Sequence, residues 1–330
     1  MSDTKQVLIS INFSPEVIPK FYEIVETFES HGYAVEIGPS YRAASPETLI
    51  HALQGKHAYL VGGEFITRNI LAACPALKVA SRMGVGYNDV DVAAATEHGV
   101  AVTVTAGANA PAVAEHTLAM LLASTRHVAE LDRRVRKGVW GSVFGIGVSK
   151  KTLGIIGMGA VGKCLTQYIS GFQMRVLAYD PYPDEAFAKE HGVEYCPLEK
   201  LVRESDFITL HCPYNADNHY LLAEKQFAMM KENVQIINCA RGKLLDEGAL
   251  YRALTEGKVA GAALDCYEQE PLNRDSPLLS LENVVFSSHT AGMTYEVRAE
   301  VIRTAFQNVI DVDAGIRPHG FLNPEVFNNS

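Results

Sequence analysis

Three ionisable residues in this chain stand just past the ends of apolar, strand-like runs. Arg241 follows VQIINCA, Glu270 lies in the loop after VAGAALDCY, and His289 closes VVFSSHT. Histidine is the side chain whose ordinary pKa lies near neutrality, so His289 is the natural proton donor and acceptor. A carboxylate beside an imidazole favours its protonated form and fixes the ring, which gives Glu270 the task of orienting His289 and raising its pKa. An arginine grips a carboxylate through two parallel hydrogen bonds and polarises a neighbouring carbonyl, which suits Arg241 to an acidic substrate. Such a set fits reversible reduction of a 2-oxo acid, in which the carbonyl carbon takes a hydride and its oxygen takes a proton. Singly, each residue has a plainer reading: a hydrogen-bonder at a helix start, a loop acid, a turn cap. Their common placement at strand ends is what joins them.

A hydride source is written into TLGIIGMGAVGKCLTQYI, where Gly157, Gly159 and Gly162 have G-x-G-x-x-G spacing. The motif alone is weak, but here it follows a β-branched run and opens a helix with Val161, Leu165 and Ile169 on one face. That context gives a tight turn, close backbone approach to a pyrophosphate, and free N–H groups at a helix start. The next strand, RVLAYD, ends in Asp180, a carboxylate that can accept from ribose hydroxyls and would repel a 2′-phosphate. NAD rather than NADP is the expected cofactor.

The elements that position these residues fall into two series. In the first, QVLISI, HAYLVGG, LKVASRMG and VAVTVT read as strands. Ser14-Pro15-Glu16 and Ser45-Pro46-Glu47 read as helix starts, the first leading into Val17, Phe21, Ile24 and Phe28 and stopping at Gly32. After GVWGSVFGIG the second series supplies TLGIIG, RVLAYD, DFITLHCP, VQIINCA, VAGAALDCY and NVVFSSHT. A helix spans about 109 to 126, and a long final helix, 294 to 313, has no strand after it and would return to the first lobe. The expected fold is α/β: a flavodoxin-like substrate-binding domain over 1–102 and 293–330, and a Rossmann nucleotide-binding domain over 103–292. Both are doubly wound, with a cleft between them.

Composition narrows the function classes. A length of 330 residues suits two domains, and 48 % apolar with 20 % charged residues is ordinary for a soluble protein. A net charge of −9 argues against nucleic acid or an anionic membrane as partner; RRVRKG at 133–138 reads as a solvated helix face. The six cysteines show neither C-x-x-C nor zinc spacing, and no metal is expected. With no leader pattern in MSDTKQVLIS and no membrane-length apolar run, the expected setting is cytoplasmic.

The chain resembles the D-isomer-specific 2-hydroxyacid dehydrogenases, the family that includes D-3-phosphoglycerate dehydrogenase, along nearly its whole length. The motifs are SRMGVGYNDVDVAAA, NAPAVAEHTLAMLL, KTLGIIGMGAVG, HCP, NCARGKLLDEGAL, LDCYEQEP and SSHTAG, in that order. The resemblance implies Arg241, Glu270 and His289 as the catalytic set, and main-chain binding of the substrate carboxylate at Gly84 and Val85. It implies Asp265 beside the nicotinamide carboxamide, and Ala160, Val161, Asp180, His211, Cys212, Cys239, Ala240 and Gly292 around the cofactor. It also implies a homodimer joined through the nucleotide domains, and the D configuration of the product.

One departure bears on the substrate. Phosphoglycerate enzymes carry arginine and serine after the strand matching HAYLVGG, whereas this chain has Gly62-Gly63-Glu64. A carboxylate there would oppose a phosphate, with Arg82 in partial compensation. Glu64 is therefore expected either to face the substrate and accept from hydroxyls of a sugar-acid-like compound or to stand as a solvated loop carboxylate. The chain stops at Ser330, so serine feedback through a C-terminal regulatory domain is not expected. Phosphoglycerate or phosphite oxidation, and an NAD(H)-sensing role like that of corepressor relatives, are the alternatives; formate oxidation is disfavoured, because formate relatives have glutamine at Glu270.

Overall fold

The structure, a computed structural model, describes residues 4–329. Residues 1–3, where the segment read for a leader begins, lie outside them. The chain forms two compact units, residues 1–109 with 293–330, and residues 110–292.

The first unit runs β1 (Lys5–Ile11), α1 (Phe21–Glu29), β2 (Tyr33–Pro39), α2 (Pro46–Leu53), β3 (Ala58–Val61), α3 (Arg68–Ala73), β4 (Val79–Arg82), α4 (Val92–Glu97) and β5 (Ala101–Val104). Its five strands are all parallel, in the order β2-β1-β3-β4-β5. Parallel strands covered by helices on both faces read as unbroken apolar runs, and AYLV of β3 and AVTV of β5 are buried throughout. The boundary expected at residue 102 falls inside β5, the edge strand paired to β4; the chain stays with this sheet to Asn109.

The second unit runs α5 (Ala110–Thr125), α6 (Val128–Arg136), β6 (Thr152–Ile156), α7 (Ala160–Tyr168), β7 (Arg175–Tyr179), α8 (Glu185–His191), β8 (Val193–Tyr195), α9 (Leu198–Glu204), β9 (Phe207–Leu210), α10 (Glu224–Met229), β10 (Val234–Asn238), α11 (Glu247–Thr255), β11 (Val259–Leu264) and β12 (Val284–Phe286). The seven strands are parallel, in the order β12-β11-β10-β9-β6-β7-β8. The order reverses between β6 and β9, and in sheets of this kind ligands bind at the carboxyl ends of the strands at such a reversal. The basic cluster of α6 is a solvated face, as expected: Arg134 pairs with Glu130 and Arg136 with Asp132.

The last helix, α12 (Tyr295–Asp313), belongs to the first unit and packs on β3, β4 and β5. Its Phe306 stacks on Phe28 of α1 at 4.3 Å between ring centres. Ser81 donates to the Ala305 carbonyl at 2.9 Å, and the Asn308 amide donates to the Val104 carbonyl at 3.2 Å.

Two local expectations fared differently. Ser45 does cap α2, its hydroxyl accepting from the Thr48 amide with Pro46 in the first turn. Ser14 does not cap α1. Its hydroxyl donates to Glu16, the turn Pro15–Val17 ends after one 3-10 winding, and Ile18 is extended. The reason is Pro19, whose ring disfavours helical backbone in the preceding residue. The helix begins at Phe21; Phe21, Ile24 and Phe28 are buried, while Val17 is exposed.

At the far end of α12, Asp313 accepts from Tyr33 Oη at 2.6 Å, His57 Nε2 at 2.9 Å and Lys5 Nζ at 2.9 Å, tying the helix to β1, β2 and the start of β3. Burial pushes this carboxyl up, but the three donors win and hold it at about 2. A folded pKa below the unfolded one stabilises fully above about pH 4 and fades as the pH falls toward about 2. Asp313→Asn should therefore lower stability by roughly 1–3 kcal/mol near neutrality. In urea unfolding, the gap to the parent should narrow as the pH drops from about 4 toward about 2. A gap that is absent at neutrality, or constant across that range, would discount the cluster.

Candidate active site

The glycine-rich turn after β6 is set by close approach. Gly157 has φ of +95°, and a Cβ there would lie 2.4 Å from the Cys212 nitrogen and 2.7 Å from the His211 carbonyl carbon. A Cβ at Gly162 would lie 2.6 Å from the Gly157 oxygen, so helix and turn are in contact. Gly159 differs: a Cβ added there meets nothing within 4 Å. Gly159 is the N-cap of α7, with Ala160 and Val161 opening the helix. That is the arrangement a pyrophosphate needs, with open space in front of amides at a helix start.

The neighbouring groups are compatible. Asp180, just past β7, accepts from the Met158 and Tyr182 amides, each at 2.8 Å, which leaves acceptor capacity on both oxygens. His211 is neutral, because burial pushes its pKa down to about 3; its Nδ1 is buried without a partner and its Nε2 lies 2.9 Å from Thr209 Oγ1. Burial pushes the Cys212 thiol up to about 11 and the Cys239 thiol up to about 12. Both act as small apolar groups, not nucleophiles. The residues present thus fit a dinucleotide.

The three candidate chemical groups all lie in the second unit. Arg241 follows β10, where the Asn238 side chain donates to the Arg241 carbonyl at 2.9 Å and accepts from the Ala240 amide at 3.0 Å. Gly242 lets this loop seat: a Cβ there would lie 1.8 Å from the Tyr267 carbonyl carbon. The Arg241 guanidinium donates to the Ala240 carbonyl at 2.6 Å, and among the described residues no carboxylate lies within ion-pair distance of it. Glu270, at a cis bond to Pro271, accepts from the Tyr267 amide at 3.1 Å. Its other oxygen lies 2.6 Å from His289 Nδ1. Burial would push the Glu270 carboxyl up; His289, the Tyr267 amide and the charge of Arg241 together bring it below the ordinary value.

His289 is 49 % exposed and has φ of +53°, a left-handed conformation rare outside glycine. Asp265, 1 % exposed, holds it there. Its carbonyl accepts from the His289 amide at 2.7 Å. Its Oδ1 accepts from Ser287 Oγ at 2.6 Å and the Thr290 amide at 2.9 Å, and its Oδ2 accepts from the Ala291 amide at 2.9 Å. His116 of α5 backs the network, its Nε2 lying 3.0 Å from Ser287 Oγ. Asp265, expected at the nicotinamide carboxamide, is first of all the anchor of the turn ending at Gly292; the second lone pair of Oδ2 is its remaining acceptor.

In the first unit, Gly84 and Val85 follow β4. The Gly84 amide donates to the Arg82 carbonyl at 2.9 Å and the Gly84 carbonyl accepts from Thr105, while the Val85 amide has no acceptor among the described residues. Glu64, expected to face the substrate, is 1 % exposed and its oxygens accept from Ser40 Oγ, the Tyr41 amide and the Gly63 amide. Burial pushes its carboxyl up, but Ser40, Ser10 and backbone donors bring it below the ordinary value. Arg82 donates to the Gly86 carbonyl at 2.9 Å and the Val61 carbonyl at 3.3 Å, bracing the loop that carries Gly84 and Val85, and lies 3.9 Å from Asp89.

Asn238, Tyr267, Ser287 and His116 were not singled out by sequence reasoning. Each lies inside a motif, and His116 had a visible signal, as the one imidazole in the largely apolar run APAVAEHTLAMLLAST.

Comparison with known proteins identifies the family. The model for "D-isomer specific 2-hydroxyacid dehydrogenase, NAD binding domain" matches residues 118–291. A glyoxylate reductase of Korarchaeum cryptofilum is 42 % identical over 267 residues, covering 79 % of this chain and 80 % of that protein. A glyoxylate reductase of Aeropyrum pernix is 35 % identical over 321 residues, covering 94 % and 95 %. The apo structure of D-lactate dehydrogenase from Escherichia coli superposes with a TM-score of 0.81 at 31 % identity, over 96 % of this chain and 99 % of that one.

The two glycines predict opposite phenotypes. Gly159→Ala should fold with a melting temperature within about 2 °C of the parent, since its Cβ meets nothing, yet weaken NADH binding roughly tenfold or more by filling the space before the helix. Gly242→Ala should fail to fold or melt many degrees lower. Fluorescence titration with NADH and thermal melts read both; unaltered NADH binding in Gly159→Ala would remove that glycine from the cofactor site.

Proposed function

The chain belongs to the D-isomer-specific 2-hydroxyacid dehydrogenase family and is an NAD-dependent oxidoreductase, and we propose that Arg241, Glu270 and His289 carry its reaction. The cofactor, when bound, supplies or accepts the hydride at C2 of the acid. His289 gives a proton to the carbonyl oxygen during reduction and takes it back during oxidation. Glu270, at 2.6 Å from Nδ1, orients the ring so that Nε2 faces the substrate and balances the imidazolium charge. Arg241 binds the substrate carboxylate, and main-chain amides at Gly84 and Val85 are proposed as further ligands to it. Gly157, Gly159, Ala160, Val161 and Gly162 are proposed to cradle the pyrophosphate. Asp180 is proposed to take the ribose hydroxyls, and His211, Cys212, Cys239, Ala240, Asp265 and Gly292 to line the nicotinamide side.

The observation that carries this reading is the Glu270–His289 pair on a braced left-handed turn, in the same unit as a dinucleotide turn and as Arg241, whose charge helps hold the Glu270 carboxyl low. Two plainer properties are proposed with it. Homodimerisation through the nucleotide-binding unit is supported by Val128, Val135, Val139, Trp140 and Phe144, all exposed along one stretch that includes α6. A reducing, cytoplasmic setting is in keeping with six free cysteines. Among the described residues no helix is long and apolar enough to cross a membrane.

The test is NADH oxidation against glyoxylate, pyruvate, hydroxypyruvate and larger 2-oxo acids. His289→Ala should lower kcat by about 10²–10⁴-fold while NADH still binds. Near-normal turnover in that variant would take His289 out of the mechanism, and silence of the parent on every acid despite NADH binding would favour a nucleotide-sensing role. Asp180→Ser should reduce the NADH-over-NADPH preference in kcat/KM by roughly tenfold or more, since a 2′-phosphate would no longer meet a carboxylate. An unaltered preference would assign the discrimination elsewhere.

A further inference from the structure

The loop that carries Glu270 is held at a second point, which the proposed mechanism does not use. Glu247 opens α11 directly after its N-cap, Asp246, and Glu268 stands two residues before Glu270. Each carboxylate accepts from the other residue's main chain. The Glu247 amide donates to Glu268 Oε1 at 2.8 Å, and the Glu268 amide donates to Glu247 Oε1 at 2.7 Å. The other oxygen of Glu268 accepts from Tyr220 Oη at 2.8 Å. Tyr220 is itself fixed: its backbone is left-handed with φ of +53°, its amide donates to the Lys243 carbonyl at 2.9 Å, and its ring stacks on His219 at 3.9 Å between centres. The bond to Glu268 pushes the Tyr220 hydroxyl up to about 12, so it stays a donor at neutral pH.

The plain reading is a helix cap, since the first amides of a helix lack partners within it and a carboxylate suits the positive end of its dipole. Two features go further. A cap needs one bond, and here the bond is returned, so Glu268 is fixed through both its side chain and its backbone. The second feature is the place. The amide of Tyr267, one residue before Glu268, donates to Glu270 Oε1 at 3.1 Å, and the Glu268 nitrogen would lie 2.4 Å from a Cβ on Gly242, next to Arg241. Residues 267–270 therefore run as one short segment from the clasp to the carboxylate that meets His289 Nδ1 at 2.6 Å. Electrostatics do not hold that segment. Burial pushes the Glu247 carboxyl up, the Glu268 amide draws it back, and the charges of Glu268 and Glu270 add to the rise. These three carboxylates repel one another, and it is the returned pair of bonds with the Tyr220 hydroxyl that keeps the segment against α11.

We propose that Glu247 and Glu268 are positioning residues for proton transfer: their clasp fixes the loop after β11 so that Glu270 meets His289 Nδ1. The proposal rests on the reading of Glu270 and His289 as the acid–base pair. What the clasp supplies is reach, not charge. An amide oxygen in place of a Glu268 oxygen would still accept from the Glu247 amide, with the Tyr220 hydroxyl turned to accept, whereas a side chain one methylene shorter would not reach.

The experiment measures kcat, KM and NADH binding on the best 2-oxo acid in the parent, Glu268→Asp, Glu268→Gln and Glu270→Ala, and in Glu268→Asp combined with Glu270→Ala. Glu268→Asp keeps the charge and shortens the reach; kcat should fall by about 10–100-fold, with KM and NADH affinity within about threefold of the parent. Glu268→Gln keeps the reach and drops the charge, and should stay within about threefold in kcat. Once Glu270 is gone the clasp has nothing left to aim, so adding Glu268→Asp to Glu270→Ala should lower kcat by less than about threefold more. A loss in Glu268→Gln as large as in Glu268→Asp, or an undiminished effect of Glu268→Asp in the absence of Glu270, would overturn the proposal. A loss in Glu270→Ala with none in Glu268→Asp would reject the clasp and leave the acid–base reading standing. No loss in Glu270→Ala would end both.

One readout does not depend on turnover. A carboxylate at Nδ1 selects the neutral imidazole that carries its proton there. In long-range proton–nitrogen NMR spectra at alkaline pH, His289 should show that tautomer in the parent and in Glu268→Gln. In Glu268→Asp and Glu270→Ala the population should move toward the proton on Nε2. A parent-like tautomer in Glu268→Asp would reject the proposal whatever the kinetics. If the parent turns over no 2-oxo acid while the tautomers follow this pattern, the clasp stands as what aims Glu270 and the acid–base reading fails.

Discussion

The carboxylate of Asp265 is the constraint on which the second unit's chemistry depends. Four donors from one short turn converge on this residue: the His289 amide on its carbonyl, and Ser287 Oγ, the Thr290 amide and the Ala291 amide on its side chain. A charged acceptor of this kind, nearly excluded from water, makes hydrogen bonds stronger than neutral ones. They offset the strain of a histidine with φ of +53°. The left-handed backbone is what lets the imidazole leave the end of β12 toward Glu270. Extended backbone at residue 289 would keep the strand running and carry the ring elsewhere.

The same unit uses packing where hydrogen bonds would be too soft. Gly157 and Gly242 each admit backbone from another loop at distances no side chain tolerates, the first from His211–Cys212 and the second from Tyr267–Glu268. The loops after β6, β9, β10 and β11 are therefore locked to one another in pairs. Preorganisation of this sort matters for proton transfer, because a donor that must first be oriented contributes little. Glu270 shows the link directly, since the Tyr267 amide that positions it belongs to the loop against which Gly242 seats.

What was legible in the sequence follows from how local each signal is. The dinucleotide turn, the strand-end residues and the long last helix are each written in a few consecutive residues, and the structure places them accordingly. The start of α1 was misread because Pro19 overrides the signal at Ser14–Glu16 from a position inside the expected helix. β2 (YAVEIGP) and β8 (VEY) went unnamed: each lies at a sheet edge, each is partly exposed, and neither shows the apolar run that marks a central parallel strand. The bracing residues were invisible for a different reason. His116 and Ser287 are far apart in sequence, and only the packing of α5 beneath the strand ends brings them together.

Glu64 and Arg298 show why charge at the edge of a sheet cannot be assigned from sequence position. Glu64 follows β3 directly, in the place where a ligand-facing residue is expected, yet Ser40 and Tyr41 from the loop after β2 supply donors that absorb it. Arg298 lies in a helix that reads as an ordinary amphipathic one, and its neighbours are an aromatic ring and another arginine. The deciding quantity is the balance of donors and acceptors around each buried charge, which is a property of loops brought together by topology. Glu64 has its bonds made inside the protein, whereas Arg298 Nε is buried with no partner among the described residues.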